Sequence, residues 1–332
     1  MTNWILRLKR RVLMTVKNWE NDCSFSVLYA SYRLLGDFCG RIGMKTMAKW
    51  SYEKRKLWIM SYLEILLKPT IQKYQDMEQQ GVYDENSPIW ICWWTGIDTA
   101  PKLVQQCVKS IQKNAGKHPV HMITKETVDK HVEIPEYMAQ KVNSGQMGLA
   151  HLADYLRVCL LEKYGGLWID ATMFCSQTIP ITCFELPVFT CKSEWRESRY
   201  VSNYQWVTFC LGGWKGNVFY QFLKESFEMY WQENEVAIDY LFFDYLICIG
   251  KLYVPAIKQM LEDVPINNIH RDDLQAAMNE AVAAEEISRI ICEDTVLYKL
   301  SWRETYSLHT CDNQESVYSY FLNMKIFEDE YE

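Results

Sequence analysis

The stretch Gly148–Cys175, which reads GLAHLADYLRVCLLEKYGGLWIDATMFC, decides the fold of this chain. Its first half predicts a helix, because four leucines recur at spacings of three and four on one expected core face: Leu149, Leu152, Leu156 and Leu160. Gly165 and Gly166 predict the end of that helix, where a residue with positive φ is common. The apolar run Leu167–Ile169 predicts a short buried strand that brings Asp170 to its carboxyl end, the edge at which open α/β sheets bind ligands.

A polar stripe runs along another face of the same predicted helix. His151, Asp154 and Arg157 follow one another at three-residue intervals, which places them on one side of the helix. Each also has an ordinary interpretation. An Asp–Arg pair at this spacing is common on solvated helices, an Asp after a strand often belongs to a turn, and a single His is usually a packing residue. The ordered combination of helix, double glycine and strand-end acid is what points to a binding site.

Strands and helices alternate through the central part of the chain. Pro88–Trp94 is a continuous buried-strand pattern, a helix is predicted at Pro101–Asn114, and Val120–Thr124 is a second strand. With the central helix and strand they make βαβ units, which predict an α/β fold with parallel strands. Further elements are predicted after Asp170: strands at 188–191 and 206–210, and helices at 217–233, 238–250, 254–262 and around 272–289.

Residues 1–80 predict helices and no strand. The first helix is amphipathic, with an apolar stripe and basic residues around the opposite side: Ile5, Leu8, Val12, Val16 and Trp19 in the stripe, and Arg7, Arg10, Arg11 and Lys17 opposite. A second basic cluster at 54–56 precedes another apolar helix, which Pro69 is expected to break. Such helices either lie in the interface of an anionic membrane or pack on the body with their charges in water, and the sequence leaves both open.

Charge divides the chain into a basic first part and an acidic remainder. Residues 1–73 contain 14 lysines and arginines against 5 aspartates and glutamates, whereas the whole chain has a formal charge of −7. An acidic body argues against general nucleic-acid binding, and the basic part points to an anionic membrane surface. With 49% hydrophobic and 23% charged residues, the chain is expected to be an ordered globular protein.

Cysteines, apolar runs and missing motifs narrow the class further. The twelve cysteines show no CxxC pair and no Cys/His metal spacing, so reduced thiols in a cytoplasmic protein are expected. We find no signal peptide and no apolar run near the roughly 20 residues that span a bilayer, so the protein is not expected to cross the membrane. The short signatures of common dehydrogenases, NTPases, zincins and hydrolases are also missing.

The segment Asp154–Thr172, DYLRVCLLEKYGGLWIDAT, resembles a known family. It is similar to the core of the DxD-type sugar-nucleotide glycosyltransferases of family 32 and, within them, to the capsular polysaccharide synthesis proteins, in which an (S)DxxRxxxLxxxGGxWxDaT pattern is characteristic. The resemblance extends over roughly Ser87–Trp302. It implies a GT-A-like α/β fold, with a Rossmann-like mixed sheet flanked by helices, at residues 87–325. Residues 1–80 would then be a basic amphipathic helical extension.

Two positions depart from the family pattern. Ala153 stands where a serine often precedes the helix aspartate, and Thr172 stands where a strict DxD motif has its second acid. The threonine is usual in the capsular subgroup, but it removes a carboxylate from the expected metal site.

The resemblance implies a role for each acid and for the arginine. Asp154 would bind ribose or sugar hydroxyls of the donor, and Arg157 would contact the sugar, since carboxylates accept from hydroxyls and a guanidinium donates to them. Asp170 would be the ligand of Mn²⁺ or Mg²⁺, hard cations that prefer oxygen and stabilise a leaving diphosphate.

Two further residues are implicated at the edges of the site. Trp93 would lie near the nucleobase, with Trp94 as second choice, although a tryptophan in a buried strand is often simply core, and alternation prevents both from facing one side. Lys299, in the segment Leu297–Arg303, would contact the donor diphosphate.

The resemblance implies a retaining glycosyltransferase of the hexosyltransferase type. It would transfer a sugar from a nucleotide-diphosphate sugar to a lipid-linked capsular or surface polysaccharide precursor, at the inner face of the cell membrane. We find no residue that would be the nucleophile, and a front-face route needs none. Two alternatives stay open: a non-catalytic sugar-nucleotide-binding scaffold of a polysaccharide assembly complex, and a sugar-phosphate transferase.

Overall fold

The central helix and strand form as the sequence predicts. The computed structural model describes residues 2–282, 287, 289–292 and 294–323, with the backbone alone for residues 2–12. The helix Leu149–Tyr164 ends at Gly165, and the strand Gly166–Ile169 begins directly after it. Gly166 has φ of +96°, and a Cβ there would lie 2.0 Å from the carbonyl oxygen of Pro88. The second glycine is therefore required both for its backbone conformation and for the close approach of two strands.

The elements are named here in chain order. The helices are α1 (Thr2–Phe25), α2 (Val27–Arg41), α3 (Lys45–Leu66), α4 (Lys68–Tyr74), α5 (Lys102–Asn114), α6 (Glu136–Asn143), α7 (Leu149–Tyr164), α8 (Thr182–Glu185), α9 (Val218–Glu233), α10 (Phe242–Tyr253), α11 (Pro255–Asp263), α12 (Asp273–Ala277) and α13 (Val317–Leu322). The strands are β1 (Ile89–Cys92), β2 (Val120–Ile123), β3 (Gly166–Ile169), β4 (Met173–Cys175), β5 (Val188–Thr190), β6 (Cys210–Gly213) and β7 (Leu297–Lys299).

Five strands form one mixed sheet in the order β2-β1-β3-β6-β5. β1 is parallel to both β2 and β3, whereas β6 is antiparallel to β3 and β5. A second sheet pairs β4 with β7 in antiparallel register. The predicted α/β class, with a mixed sheet flanked by helices and an N-terminal helical extension, is confirmed.

The two faces of the main sheet bury separate cores. Trp90 and Trp168 point to the face covered by α7 and α9, while Ile91 and Ile169 point to the face covered by α5. This division follows from the period of two along each strand, which sends neighbouring side chains to opposite faces. Because both faces are covered, β1 and β3 are apolar at every position, as the sequence pattern indicated.

Three predictions about the elements are wrong in detail. The strand expected at 206–210 begins only at Cys210, because Val207 exchanges hydrogen bonds with the side chain of Thr190 instead of a ladder partner. The helix expected around 272–289 ends at Ala277, since the backbone of the following residues pairs with residues 315–318, and residues 283–286 and 288 lie outside the described part. Leu149, expected in the core, is 50% exposed because it is the first residue of α7.

The N-terminal helices pack onto the body of the protein. Tyr29 and Leu63 are fully buried in the same core as α7 and α9, and Arg55 forms an ion pair of 2.5 Å with Asp239. α3 ends at Leu66, and Pro69 lies in the first turn of α4, as predicted. In the predicted apolar stripe of α1, Val16 is exposed and the side chains at positions 5, 8 and 12 lie outside the described residues, as do those at positions 7, 10 and 11 of the predicted basic side. No helix in the described part is both long and apolar enough to span a bilayer.

Candidate active site

The candidate site lies at the carboxyl ends of two parallel strands. The register pairs Ile89 with Leu167, and continuing it by three residues places Cys92 beside Asp170. Burial raises the pKa of the Cys92 thiol to about 12, and the nearby Asp170 carboxylate adds to that increase. The sheet therefore brings the last residues of β1 and β3 together at the edge where ligands bind in α/β folds.

Arg157 joins the two predicted carboxylates. Its Nη1 donates to Oδ1 of Asp154 at 2.6 Å and its Nη2 donates to Oδ1 of Asp170 at 3.2 Å. Its side chain is 4% exposed, and its guanidinium carbon lies 4.8 Å from the ring centroid of Trp168. A planar fork with two anionic partners and an aromatic neighbour is a geometry that arginine provides and lysine does not. The predicted convergence of Asp154, Arg157 and Asp170 is therefore observed.

Lys299 completes the cluster from the other sheet. Its ammonium group donates to Oδ2 of Asp170 at 3.3 Å and to Oγ1 of Thr172 at 2.5 Å. The pairing of Met173 with Lys299 explains this position, because the antiparallel β4–β7 ladder sets Lys299 beside the residues that follow β3.

Asp170 is held as a carboxylate. Burial would raise its pKa, but the charges of Lys299 and Arg157, with a hydrogen bond from Nε1 of Trp168 at 2.9 Å, bring the pKa below its usual range. The carboxylates of Asp154 and Asp170 thus face the cationic side chains of Arg157 and Lys299. The four charges offer both the acceptors that bind sugar hydroxyls and the donors that bind phosphate oxygens.

The residues present fit a protein-held divalent cation poorly. Oδ1 of Asp170 accepts from Arg157 and Trp168, and Oδ2 accepts from Lys299. The position between Asp170 and Thr172, where a DxD motif would hold its ion, is bridged by the Lys299 ammonium group. A metal ion would meet two cationic side chains and would have to displace one of them to reach Asp170.

Asp244 is a neighbour of the cluster to which the sequence analysis gave no role. It lies on α10, and its Oδ1 accepts from Nε1 of Trp206 at 3.0 Å. Burial raises its pKa to about 7, and the charge of Asp154 adds to the increase, while Arg157 opposes it. The sequence signal was an aspartate within an otherwise apolar, aromatic helical stretch, where an acid needs a reason to be present.

His151 matches both of its interpretations. Its ring packs among aromatic side chains, 6.1 Å from Trp231 between centroids, and it is 8% exposed. Its Nδ1 also lies 3.7 Å from Oδ2 of Asp154. That distance is too long for a hydrogen bond, so His151 shares the polar stripe with Asp154 while its aromatic neighbours account for its burial.

Trp93 lies at the same edge of the sheet as the cluster. It follows β1 directly and packs edge-on against Trp302, with ring centroids 5.9 Å apart. Trp94 packs against the opposite core, as alternation required. Since Trp302 follows Lys299 by three residues, the Trp93–Trp302 pair forms an aromatic wall at the same edge of the sheet.

Comparison with known sequences places the chain. The sequence pattern described as capsular polysaccharide synthesis protein matches residues 41–321. The chain belongs to this family. Because the match begins at residue 41, the family pattern of this capsular polysaccharide synthesis protein includes α3 and α4 as well as the sheet.

The chain shows little similarity to curated proteins and to the solved structure named below. None of the curated proteins is a detectable relative of this capsular polysaccharide synthesis protein. Among solved structures, the chain is similar to the PaToxG glycosyltransferase, with 14% sequence identity, coverage of 72% of this chain and 94% of the other, and a TM-score of 0.28.

Proposed function

We propose that this capsular polysaccharide synthesis protein is a glycosyltransferase that transfers a sugar from a nucleotide-diphosphate sugar to a polysaccharide precursor. One observation carries the proposal: Asp154, Arg157, Asp170 and Lys299 converge at the carboxyl edge of β1 and β3. The family is one of capsular polysaccharide synthesis, which requires such a transfer.

The four residues divide the work of binding an activated sugar. Asp154 and Asp170 accept from hydroxyl groups, and the cations stabilise the negative charge that develops on the leaving diphosphate. Lys299 has the more exposed side chain of the two cations, at 27% against 4% for Arg157, so we assign Lys299 to the diphosphate and Arg157 to the sugar. We assign no nucleophile, and a retaining front-face transfer that relies on positioning and charge is the route we favour.

The aromatic wall is our proposed contact for the nucleobase. Trp93 and Trp302 stand at right angles to each other, with an interplanar angle of 79°. Trp302 is 43% exposed, so its face is available to a planar ring. Of the two candidates in the opening strand, Trp93 is thus the one on the side of this wall.

Assistance by Mn²⁺ or Mg²⁺, with Asp170 as ligand, stays a prediction. When bound, such an ion would stabilise the leaving diphosphate as a Lewis acid. Because Lys299 bridges Asp170 and Thr172, an ion would rely mainly on the donor phosphates for its oxygen ligands.

The proposal is tested by offering the protein a panel of nucleotide-diphosphate sugars and measuring the nucleoside product, with and without Mn²⁺. A glycosyltransferase releases nucleoside diphosphate, and Asp170→Asn should abolish this release, whereas the exposed control Asp129→Asn should not. Release of nucleoside monophosphate would identify a sugar-phosphate transferase. Donor binding, seen as a thermal shift, without any release in either condition would identify a scaffold protein.

We also propose that the N-terminal helices rest on an anionic membrane surface. One side of α2 is buried at Tyr29 and Cys39, and the opposite side exposes a helical stripe of large apolar residues: Val27, Leu28, Leu34, Leu35, Phe38 and, just after the helix, Ile42. The excess of basic residues in positions 1–73 complements anionic lipid, so apolar area and charge act together. This placement agrees with an acceptor that is attached to lipid.

Vesicle sedimentation of the full-length protein tests the membrane proposal. Binding should require anionic lipid, weaken with salt and fall sharply in Phe38→Glu. Leu252→Glu is the matched control, because Leu252 is 62% exposed on α10. Equal sedimentation of the two variants, or equal binding to neutral vesicles, would overturn the proposal.

A further inference from the structure

A second polar cluster lies beside β7, apart from the Asp170 cluster. His270, Cys292 and Asp294 each present one ligand atom, and the three atoms lie within 4.8 Å of one another. Within the described part of the chain, this is the group of three His, Cys, Asp or Glu side chains that meets that distance. His270 and Cys292 are partly buried and Asp294 is exposed, so the cluster opens to solvent on one side.

Asp273 orients the histidine of this cluster. Its Oδ2 lies 2.8 Å from Nδ1 of His270, so the neutral ring donates from Nδ1 and keeps its lone pair on Nε2. That Nε2 lies 4.0 Å from Oδ2 of Asp294. Histidines that bind metals nearly always donate their other N–H to a carboxylate, a carbonyl or water, and this arrangement is in place here.

Hydrogen bonds to β7, one to a side chain and one from the backbone, hold both segments of the cluster. The amide of Cys292 donates to the hydroxyl oxygen of Tyr298 at 2.8 Å. The amide of Lys299 donates to the carbonyl oxygen of Arg271 at 2.8 Å. The segments of Cys292 and His270 are therefore both held against β7, although the two residues lie 22 positions apart in the sequence.

We propose that His270 Nε2, Cys292 Sγ and a carboxylate oxygen of Asp294 bind Zn²⁺ or a similar borderline-soft divalent cation. A donor set with one thiolate and one imidazole favours Zn²⁺ over Mg²⁺ or Mn²⁺. The Cys292 thiol, which donates to the carbonyl of Arg289 at 3.1 Å, gives up its proton to solvent when the ion binds. Three protein ligands leave one position for water.

The spacing of the ligand atoms suits such an ion after a small adjustment. Zn–N and Zn–O distances of about 2.0 Å and a Zn–S distance of about 2.3 Å place tetrahedral ligand atoms roughly 3.3 to 3.6 Å apart. The separations in the structure are 4.0 Å between Nε2 of His270 and Oδ2 of Asp294 and at most 4.8 Å among the three atoms, so they must shrink by up to about 1.5 Å through rotation of the side chains.

The ion joins the segments of His270 and Cys292, each of which is hydrogen-bonded to β7, the strand that carries Lys299. Its role is to brace β7, and thereby to hold the Lys299 ammonium group against Asp170. The binding site itself does not depend on the proposed glycosyltransferase activity, so its test needs no donor or acceptor.

Cobalt is the probe for this site. Co²⁺ is titrated into the chelator-treated, dialysed full-length protein, because a Co²⁺–thiolate bond gives a near-ultraviolet charge-transfer band and tetrahedral Co²⁺ absorbs in the visible range. We expect saturation at one equivalent and displacement of Co²⁺ by Zn²⁺. Cys292→Ser should lose the charge-transfer band, whereas Cys311→Ser, at an exposed free cysteine, should keep it.

Asp273→Asn tests the orientation of His270 separately. This variant keeps all three ligands but weakens the carboxylate–imidazole contact, so Co²⁺ affinity should fall about 10- to 100-fold. Melting curves in chelator establish that each variant is folded. A protein that does not saturate at one equivalent, a band that persists in Cys292→Ser, or an unchanged affinity in Asp273→Asn would overturn the proposal.

Discussion

Lys299 places its ammonium nitrogen 3.3 Å from Oδ2 of Asp170, although 129 positions separate the two residues in the chain. The same ammonium group contacts Thr172, so one cationic side chain bridges both outer positions of the Asp170–Thr172 segment. Thr172 places no carboxylate two positions after Asp170, and the lysine supplies a positive charge beside it. A site of this kind can oppose the charge of a diphosphate with side chains alone.

Replacement of Lys299 by glutamine should weaken nucleoside diphosphate binding about 10- to 100-fold, because a charge-assisted contact of about 1.5 to 3 kcal/mol is lost. Isothermal titration with a panel of nucleoside diphosphates measures this change. Lys258→Gln is the control, since Lys258 is an exposed lysine on α11. Unchanged affinity in Lys299→Gln would remove Lys299 from the diphosphate site.

If the Lys299 ammonium group occupies the position at which a divalent cation would bind, removing it and adding a carboxylate should create a Mn²⁺ site. The double variant Thr172→Asp, Lys299→Gln adds a carboxylate next to Asp170 and removes the bridging cation. Its Mn²⁺ affinity without nucleotide, measured by electron paramagnetic resonance, should exceed that of the natural protein by at least about tenfold, or roughly 1.4 kcal/mol. Thr172→Asp alone should gain less, because the new carboxylate pairs with Lys299. Equal Mn²⁺ affinity in all three proteins would contradict this view.

Arg157→Ala should destabilise the fold as well as the site. It leaves Asp154 and Asp170 facing each other without the buried guanidinium, and removal of one partner of a buried charge pair costs about 3 to 5 kcal/mol. A fall of roughly 5 to 10 °C in the melting temperature is expected, with loss of donor binding. Arg157→Lys should recover part of the stability and little of the binding. Arg196→Ala, at an exposed arginine, serves as the control. If Arg157→Ala melted at the same temperature as this control, the ion pairs of Arg157 with Asp154 and Asp170 would contribute no stability.

Asp244 should make stability depend on pH. Burial raises its pKa to about 7, so the folded state keeps a proton that the unfolded state loses above about pH 4. Stability from this group is therefore full at low pH and is lost as the pH rises towards 7. Asp244→Asn lacks this titration but keeps an oxygen for Trp206 Nε1, so its melting temperature should gain a few degrees relative to the natural protein between about pH 5 and pH 8. A constant difference across that range would show that Asp244 titrates normally.

The parts of the fold and of the site that depend on local sequence patterns could be predicted from the sequence. α7, the double glycine and β3 follow from periodicity and backbone conformation, and the stripe of Asp154 and Arg157 follows from helical geometry. Lys299 was accessible only through the family resemblance, because the β4–β7 ladder that brings it to Asp170 has no local signal.

Long-range contacts set the limit of prediction from the sequence. Asp244 reaches the cluster through the packing of α10, and its neighbour Trp206 comes from a segment that the pattern assigned to a strand. The proximity of His270 and Cys292 could not be predicted, because the two residues are 22 positions apart and recognisable metal motifs have short spacings. The helical period also placed Leu149 in the core, but it could not show that Leu149 is the first residue of α7 and is therefore exposed.

Gly166→Ala should be among the most damaging single substitutions in the chain. Gly166 has φ of +96°, and a Cβ would lie 2.0 Å from the carbonyl oxygen of Pro88, which belongs to the backbone and accepts from the amide of Leu167. The chain leading into β1 would have to move away from β3, and this movement would separate Cys92 from Asp170. We expect a loss of at least about 3 kcal/mol in the free energy of unfolding, measured by urea denaturation, together with loss of donor binding.

Gly116→Ala is the matched control, because Gly116 also has a positive φ, of +59°, but no heavy atom lies within 4 Å of its Cβ position. It should lose only about 1 kcal/mol, the cost of placing an alanine in the left-handed region. The difference between the two variants therefore measures the close approach of β1 and β3 separately from backbone strain. If both variants lost the same free energy, the contact of Gly166 with Pro88 would not be what holds the two carboxyl ends of the site together.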